Sequence, residues 1–345
     1  MSAPSPKKTL VALAAGTHTW VPTPESEATQ DEVVAILRKH GITSLDTARS
    51  YGMGASEETI GNKNLGAEFS VWTKAPTGLG GGAGKRENIL EQGRISNEVL
   101  KLSKVNFTVT IFKPLRPDHF QDFGVLSPRS RRIRPSGRDH GRNPNAFGLS
   151  NMSRDQVLEH YSYAKSQNLI LPTVYQASYS PAVRGIETTL IPTLRELGIS
   201  VQAYSPLAAG FLSKTVAQIE NGYGTERWDP NSPYGMVNRH LFYKPSYMKM
   251  LTEYGKLSEE SGVSRVGLAY RWVRYHSALK GELGDEMIIG ANSAKQFRET
   301  VEEIDKGPLE QWVVERIDGL WELVKDDAPI NNLRAIREVI GGLRK

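Results

Sequence analysis

The chain has 345 residues, of which 39% are hydrophobic and 23% are charged, and it contains no cysteine. The absence of cysteine excludes disulfides and thiolate metal ligands, and the histidines show no HExxH spacing, so no metal site is predicted. The chain has no run of 18 apolar residues, and residues 1–8 lack the apolar core of a secretory signal. We therefore expect no membrane span, a disordered tail over residues 1–8 and a cytoplasmic location.

The formal net charge of +5 is concentrated in one segment. Residues 127–143 hold six arginines and one aspartate, so their charge alone equals that of the whole chain. A basic patch of this kind raises the alternative of a nucleic-acid partner. The segment has no aromatic side chain on which a base could stack, so we favour a solvated loop and expect no nucleic-acid partner.

The first elements in chain order alternate between strand and helix patterns. Residues 9–17 form a continuous apolar run that ends in Gly-Thr, which is typical of a buried strand in a parallel sheet. Apolar residues recur at helical spacing in residues 29–39, and Gly41 marks the end of that helix. A short strand then leads through residues 44–48 into a loop, and residues 56–61 open a second helix.

Three side chains around this loop form a candidate catalytic group. Asp46 lies near the C-terminal end of the second strand, and Tyr51 follows it by five residues. A phenol titrates near pH 10, so a tyrosine donates a proton at neutral pH only where a cation or a hydrogen-bond relay stabilises the phenolate. Lys74 ends the next apolar strand, over residues 69–74, and could supply that cation with Asp46 as its counter-ion. We predict reductive chemistry, with the pKa of Tyr51 lowered by Lys74.

The motif around Tyr51 is specific in residue type and in spacing. The pattern Leu-Asp-Thr-Ala-x-x-Tyr-Gly-x-Gly-x-Ser-Glu over residues 45–57, followed by a strand ending in Thr-Lys, resembles the aldo-keto reductases. Matching blocks at residues 148–151, 171–176, 203–212, 268–272, 288–290 and 307–309 extend the resemblance over almost the whole chain. They are most similar to the aflatoxin-aldehyde reductase branch of that family.

The remaining strand and helix patterns complete an eightfold alternation. Further strands are expected at residues 108–112, 146–151, 172–177, 200–206 and 286–291, with helical patterns between most of them. Eight alternating units predict a single (β/α)8 TIM barrel over residues 9–345, with its active site at the C-terminal strand ends. Five candidate residues fall at those ends: Asp46, Lys74, Asn151, Gln176 and Tyr204.

The resemblance implies a nicotinamide cofactor bound in extended form across the barrel mouth, because no GxGxxG motif opens a Rossmann unit. In the family pattern Ser150, Asn151 and Gln176 hold the nicotinamide carboxamide, and Tyr204 stacks on its ring. The matching block that follows Tyr204 adds Ser205, Pro206, Leu207 and Gly210 to the cofactor site.

The adenine end of the cofactor is expected near Gly290, Ser293 and Gln296, where strand eight leads into a helix N-terminus. Lys295 and Arg298 add positive charge there, which favours NADPH over NADH. Arg227 resembles a family phosphate contact and Arg239 a family contact to a substrate anion, although a solvated role for each arginine stays open.

One part of the chain departs from the family pattern. Where the family has a histidine after strand four, this chain has Leu115, and His119 lies four residues further on. Residues 119–144 are a mixture of Pro, Arg, Ser and Gly with no helical period, so the barrel helix after strand four is expected to be missing or disordered. The atypical segment spans about residues 113–144. A shifted reading frame, a mis-spliced gene model and a genuine divergence all remain open.

The sequence therefore predicts an NADPH-dependent reductase of a small-molecule aldehyde or ketone, with a role in detoxification or secondary metabolism. Loop aromatics Trp20, Trp228 and Tyr234 are candidates for an apolar substrate pocket. Because Leu115 replaces the family histidine, the alternative is a catalytically weak or silent NADPH-binding regulatory protein. A homodimer is compatible with either interpretation.

Overall fold

The computed structural model describes residues 9–76, 86–102, 106–110, 146–222 and 227–330, with five further positions between 332 and 339. In this part of the chain, parallel strands β1 to β8 pair in sequence order, and β8 pairs with β1 to close a barrel. The strands are β1 (Ala12–Gly16), β2 (Ser44–Asp46), β3 (Ser70–Pro76), β4 (Asn106–Thr110), β5 (Phe147–Ser150), β6 (Val174–Ser178), β7 (Ser200–Tyr204) and β8 (Glu286–Gly290).

The helices of the described residues pack around the barrel. They are α1 (Pro24–Lys39), α2 (Ala55–Asn62), α3 (Arg86–Val99), α4 (Arg154–Ser166), α5 (Leu190–Glu196), α6 (Val216–Glu220), α7 (Pro233–Phe242), α8 (Pro245–Ser261), α9 (Arg265–Tyr275), α10 (Ala294–Asp305) and α11 (Gln311–Glu322). None of these helices is both long and apolar enough to cross a membrane in the part of the chain that was described.

The ends of the helices follow from local chemistry. Helix α1 begins with a proline, carries Glu25 and Glu27 in its first turn and ends with Arg38 and Lys39, charges that oppose the helix dipole at each end. Helix α4 begins with a capping box in which the Ser153 side chain accepts from the backbone N–H of the third helical residue. These signals fix where the chain turns back toward the next strand.

The predicted (β/α)8 barrel is confirmed, since each of the eight strand predictions overlaps an observed strand. Helix α1 begins earlier than predicted because Pro24 starts it, five residues before the apolar pattern. Helices α6, α7, α8 and α11 had no counterpart in the sequence prediction. The predicted loss of the helix after β4 concerns residues 111–145, which lie outside the described residues, as do the predicted tail and the basic segment.

The apolar core lies mainly between the barrel strands and the surrounding helices. Leu45 and Ile289 from the strands pack in one cluster with Leu37, Val157 and Ile304 from the helices. The interior also contains buried polar side chains on three neighbouring strands, including Gln176 and Gln202, which face each other in register. Because inward-facing residues of a barrel form layers, these polar groups make a floor beneath the C-terminal opening.

Candidate active site

A cavity of about 550 Å³ opens at the C-terminal ends of the strands. Most of the predicted site residues line it. They are Asp46, Tyr51, Lys74, Ser150, Asn151, Gln176, Tyr204, Ser205, Pro206, Leu207, Gly210, Arg227, Gly290 and Gln296. Residues from six strands and their loops therefore meet at one opening, as the barrel topology predicts.

An ion pair between β2 and β3 forms the base of the cavity. The Lys74 ammonium donates to both carboxylate oxygens of Asp46 at 2.7 Å and to the Thr47 carbonyl oxygen at 2.8 Å. Burial lowers the pKa of Lys74, but the charge of Asp46, the neighbouring Tyr51 and the hydrogen bonds to both together outweigh burial, so the net shift is upward. Lys74 is therefore held as a cation in a fixed position.

The phenol of Tyr51 lies beside this ion pair. The Lys74 nitrogen is 5.0 Å from the centroid of the tyrosine ring. Burial raises the pKa of Tyr51, and the nearby charge of Lys74 only partly opposes this effect. The prediction that Lys74 brings the pKa of Tyr51 below its ordinary value is thus wrong for the net shift, because the cost of desolvating a phenolate is larger. Tyr51 keeps its proton at neutral pH, as a proton donor must.

Buried hydroxyls hold the loop that carries Tyr51. The Ser56 hydroxyl donates to the Thr17 carbonyl oxygen at 2.9 Å and lies 2.7 Å and 2.8 Å from the hydroxyls of Thr17 and Thr47. Next to it, the fully buried Glu57 carboxylate accepts from the hydroxyl of Thr73. The Ser-Glu pair of the sequence motif therefore anchors strands β1, β2 and β3 to helix α2, and its role is structural.

His18 also lines the cavity, and the sequence prediction did not include it. Its imidazole meets the Tyr51 ring edge to face, with 4.8 Å between ring centroids and an interplanar angle of 65°. Partial burial lowers the pKa of His18, and the positive charges of Arg227 and Lys74 act in the same direction. A signal was present in the sequence, because His18 directly follows the Gly-Thr that ends the first predicted strand.

A hydrogen-bonded chain runs beneath the ion pair from β6 to β8. The Gln176 amide nitrogen donates to Asp46 at 2.9 Å and to the Gln202 side-chain oxygen at 3.3 Å. The Gln202 amide nitrogen in turn donates to the Glu286 carboxylate at 2.8 Å. Burial raises the pKa of Glu286, hydrogen bonds from Gln202 and Ser44 oppose the shift, and the negative charge of Asp46 adds to it.

The direction of these hydrogen bonds determines which side-chain atom of Gln176 faces the cavity. A carboxylate at Glu286 accepts hydrogen bonds, so Gln202 must present its amide nitrogen to Glu286 and its oxygen to Gln176. Gln176 then donates through its amide nitrogen to Asp46 and Gln202. Its side-chain oxygen is left as the acceptor for a group in the cavity, such as a carboxamide N–H.

The loops after β5 and β7 have an unusual backbone. Asn151 and Ser205 adopt left-handed conformations, with φ of 58° and 57°, and Ala209 in the second loop has φ of 58°. Such conformations cost free energy in residues other than glycine and concentrate at binding sites. Asn151 also donates from its amide to the Ser150 hydroxyl at 3.2 Å. These loops bring several of the predicted cofactor residues to the rim.

The upper part of the cavity suits an extended anionic ligand such as a dinucleotide. Arg227 and Lys214 line it and supply positive charge, while a Cβ atom built on Gly290 would meet nothing within 4 Å. The buried Trp228 also lines it, and the Trp228 indole nitrogen has no hydrogen-bond partner among the described residues. A buried donor without a partner costs free energy that a ligand acceptor would recover. The residues present therefore fit the predicted cofactor.

Some predicted residues do not line the cavity. Arg239 lies in helix α7, where its guanidinium donates to the Ile219 carbonyl oxygen at 2.6 Å and stacks on the Tyr243 ring. Ser293 caps helix α10 by accepting from the Gln296 backbone N–H at 3.2 Å. The geometry therefore gives no support to Arg239 as a substrate contact, because its charge is engaged away from the opening.

The two cations predicted near the adenine end also do not line the cavity. Lys295 lies 3.8 Å from Glu299 on the same helix, and Arg298 pairs with Glu32 of helix α1. Of the three predicted pocket aromatics, Trp228 and Tyr234 line the cavity, whereas Trp20 is buried and is not part of its wall. Leu115 and His119 lie outside the described residues.

Further lining residues were not predicted from the sequence. They are Gly16, His18, Thr19, Ala209, Ser213, Lys214, Asn238, Tyr270, Ile288, Ala291 and Asn292. Within the described ranges no cluster of three His, Cys, Asp or Glu side chains could hold a metal ion.

Comparison with known proteins identifies similar chains. The model of the Aldo/keto reductase family matches residues 12–112 and 145–322, so the atypical segment falls between the two matched parts. Oxidoreductase sirO of Leptosphaeria maculans is 39% identical over 302 residues, which cover 88% of each chain. An aldo-keto reductase of Pseudocercospora fijiensis is 30% identical over 294 residues, 84% of this chain and 96% of that protein.

A human relative belongs to the branch named from the sequence motifs. Aflatoxin B1 aldehyde reductase member 2 of Homo sapiens is 30% identical over 346 residues, which cover 95% of this chain and 91% of that protein. The resemblance to this branch, stated from the motifs, is thereby confirmed.

Proposed function

Since this chain belongs to the aldo/keto reductase family, we propose that it catalyses the NADPH-dependent reduction of an aldehyde or ketone to an alcohol. The arrangement of Tyr51, Lys74 and Asp46 at the base of the cavity carries this proposal. It combines a protonated phenol, a fixed cation beside it and a buried counter-ion, which is what proton donation to a carbonyl oxygen requires.

The reaction needs a hydride and a proton, and the chain supplies the proton. Bound NADPH would provide the hydride for the carbonyl carbon. Tyr51 donates its proton to the carbonyl oxygen, and the O–H bond of the phenol breaks as the alcohol O–H bond forms. The cation of Lys74 stabilises the phenolate that remains, and Asp46 keeps Lys74 charged and in place. A proton from solvent restores the phenol after product release.

Binding of the nicotinamide end is assigned to the floor and to the loops after β5 and β7. The Gln176 oxygen is turned toward the cavity by its hydrogen bonds to Asp46 and Gln202, so it is available to accept from a carboxamide N–H. Ser150 and Asn151 lie beside it on the same rim, and the Tyr204 ring lines the adjacent wall. These placements agree with the roles that the sequence motifs imply.

Preference for NADPH rests on cations that differ from some of those predicted. Arg227 and Lys214 line the cavity, whereas Arg298 is paired with Glu32. A phosphate group gains from each cation whose charge is not already matched. We therefore assign the selectivity for a phosphorylated dinucleotide to Arg227 and Lys214.

The substrate proposed is a bulky, apolar carbonyl compound. Trp228 and Tyr234 line the cavity, and Tyr234 is 58% exposed at the start of helix α7. An exposed aromatic ring at an opening is well placed to cover an apolar ligand. The rat and human relatives are aflatoxin B1 aldehyde reductases, which are named for an aldehyde substrate.

Titration of the purified protein with each dinucleotide tests the cofactor assignment. We expect NADPH to quench tryptophan fluorescence at concentrations at least tenfold below those needed for NADH, and NADPH with benzaldehyde to yield benzyl alcohol. Equal affinity for the two dinucleotides contradicts the selectivity. Tight NADPH binding without turnover of any aldehyde in a broad panel would support the silent regulatory protein instead.

A further inference from the structure

We infer that His18 is a catalytic residue of this chain, and that its imidazole N–H donates a hydrogen bond to the carbonyl oxygen that receives the Tyr51 proton. This inference rests on the proposed carbonyl reduction and adds a second donor at the reacting oxygen. Nothing in the motif around Tyr51 assigns a role to His18, which lies 33 positions earlier in the chain.

The position of His18 is fixed by the turn that follows β1. The Thr17 backbone N–H and its hydroxyl both donate to the Asp46 carbonyl oxygen, at 2.9 Å and 3.0 Å. The Trp20 N–H donates back to the Thr17 carbonyl oxygen at 3.0 Å, and the Trp20 side chain is buried. His18 is thus held between two anchored residues, on the backbone that also supports the ion pair.

The geometry places the imidazole and the phenol around the same volume. A carbonyl oxygen that accepts the Tyr51 proton must lie within about 3 Å of the phenol oxygen. The His18 ring contacts the Tyr51 ring with 4.8 Å between centroids, and both side chains line the cavity. Their interplanar angle of 65° shows that the two rings are not stacked in parallel. A carbonyl oxygen placed in the cavity between the two side chains would accept from both, which is the arrangement that the inference requires.

The surroundings of His18 favour the neutral imidazole. The charged and titratable groups that face it are Tyr51, Lys74 and Arg227, with Asp46 behind Lys74. Partial burial and the two cations lower the pKa of His18, so a third positive charge at this point is disfavoured at neutral pH. A neutral imidazole still has one N–H donor, and a neutral donor polarises a carbonyl without repelling Lys74.

The test compares His18→Ala and His18→Asn with the parent, using NADPH and benzaldehyde. Loss of one placed donor at a developing oxyanion typically costs about 10²-fold or more in kcat. We expect His18→Ala to lower kcat about 100-fold with the NADPH dissociation constant unchanged within about twofold, and His18→Asn, which keeps an N–H donor, to recover about tenfold. The matched control is His240→Ala, since His240 lies on helix α7 and pairs with Glu338 outside the cavity.

A binding measurement separates failure of this inference from failure of the proposed function. Acetophenone is titrated by calorimetry into the parent and the His18 variants saturated with NADP⁺, a complex that cannot turn over. We expect His18→Ala to weaken ketone binding about three- to tenfold, in keeping with the loss of one hydrogen bond. If the parent protein shows no turnover, the proposed reduction is contradicted. The ketone-binding measurement then still tests the role of His18. Parent-like kcat or parent-like ketone affinity in His18→Ala overturns the role of His18 and leaves the proton donor Tyr51 untouched.

Discussion

Lys74 is the side chain through which the barrel acts on the proton donor. A neutral residue cannot replace it, because the phenolate of Tyr51 would then be buried with no cation beside it. We expect Lys74→Met to lower kcat at least about 100-fold. Asp46 would also be left buried without its cation, which typically costs about 3–5 kcal/mol of stability.

Steady-state kinetics and urea unfolding measure these two effects of Lys74→Met separately. Lys63→Met is the matched control, since Lys63 forms a 2.7 Å ion pair with the exposed Asp31. Parent-like kcat in Lys74→Met would show that the buried pair has no catalytic role. A loss of stability no larger than that of Lys63→Met would contradict the expected cost of leaving Asp46 without its cation.

The protonation state of Tyr51 predicts a pH profile. Burial raises the pKa of this phenol above its ordinary value, so the proton needed for reduction is present throughout the neutral range. We expect kcat for aldehyde reduction to be flat between about pH 7 and 9 and to fall only above about pH 10, where the phenol loses its proton. A decline in kcat centred near pH 7 would point to a different proton donor.

The identities of the catalytic residues were the part of the site that could best be predicted from the sequence. Asp46, Tyr51 and Lys74 could be found because each lies at a strand end and their charges require one another. His18 has the same position after a strand, but a single histidine carries no spacing signal, and only the fold brings it to Tyr51. Arg239 was predicted as a substrate contact from the loose alignment of a loop, and its engagement in helix α7 was invisible without the structure.

At the scale of elements, the polar floor built by β6, β7 and β8 makes a prediction about stability. Burial and the charge of Asp46 raise the pKa of Glu286 above that of an unfolded chain. A raised carboxyl pKa contributes stability that is present below the unfolded pKa, near 4.5, and is lost as pH rises through the folded pKa. At pH 7 the ionised Glu286 is therefore a cost to the folded barrel.

Glu286→Gln removes this titration and keeps an oxygen to accept from Gln202. We expect the variant to melt about 1–4 °C above the parent at pH 7, with the difference shrinking toward pH 4.5. Thermal unfolding across this range measures it, with Glu282→Gln as the control on an exposed turn before the same strand. A gain in melting temperature that does not change with pH would contradict a raised pKa at Glu286.

Strands and helices differed in how well the sequence predicted them. The buried strands of a parallel barrel are short continuous apolar runs, and each was found. Helices α7 and α8 each begin at a proline within a polar stretch rich in turn residues, so their composition favoured a loop. These helices pack against residues that are distant in the chain, and no local sequence pattern indicates which residues those are.

At the scale of the whole molecule, the barrel explains why predicted residues from six strands meet at one site. Closure brings β8 beside β1, so Gly290 and His18 share a rim although they lie at opposite ends of the sequence. The fold class was predictable because eight alternating units have few other arrangements. The single-domain organisation and the location in the cell stay predictions.

The most direct test of the proposed function compares the parent with Tyr51→Phe in one experiment, with Tyr243→Phe as the control at the end of helix α7. NADPH affinity is measured by tryptophan quenching, and benzyl alcohol formed from NADPH and benzaldehyde is measured by chromatography. Because the substitution removes only the donated proton, we expect unchanged NADPH affinity and at least about 100-fold less alcohol from Tyr51→Phe, with Tyr243→Phe equal to the parent. Alcohol formation at the parent rate by Tyr51→Phe would contradict the assignment of Tyr51 as proton donor.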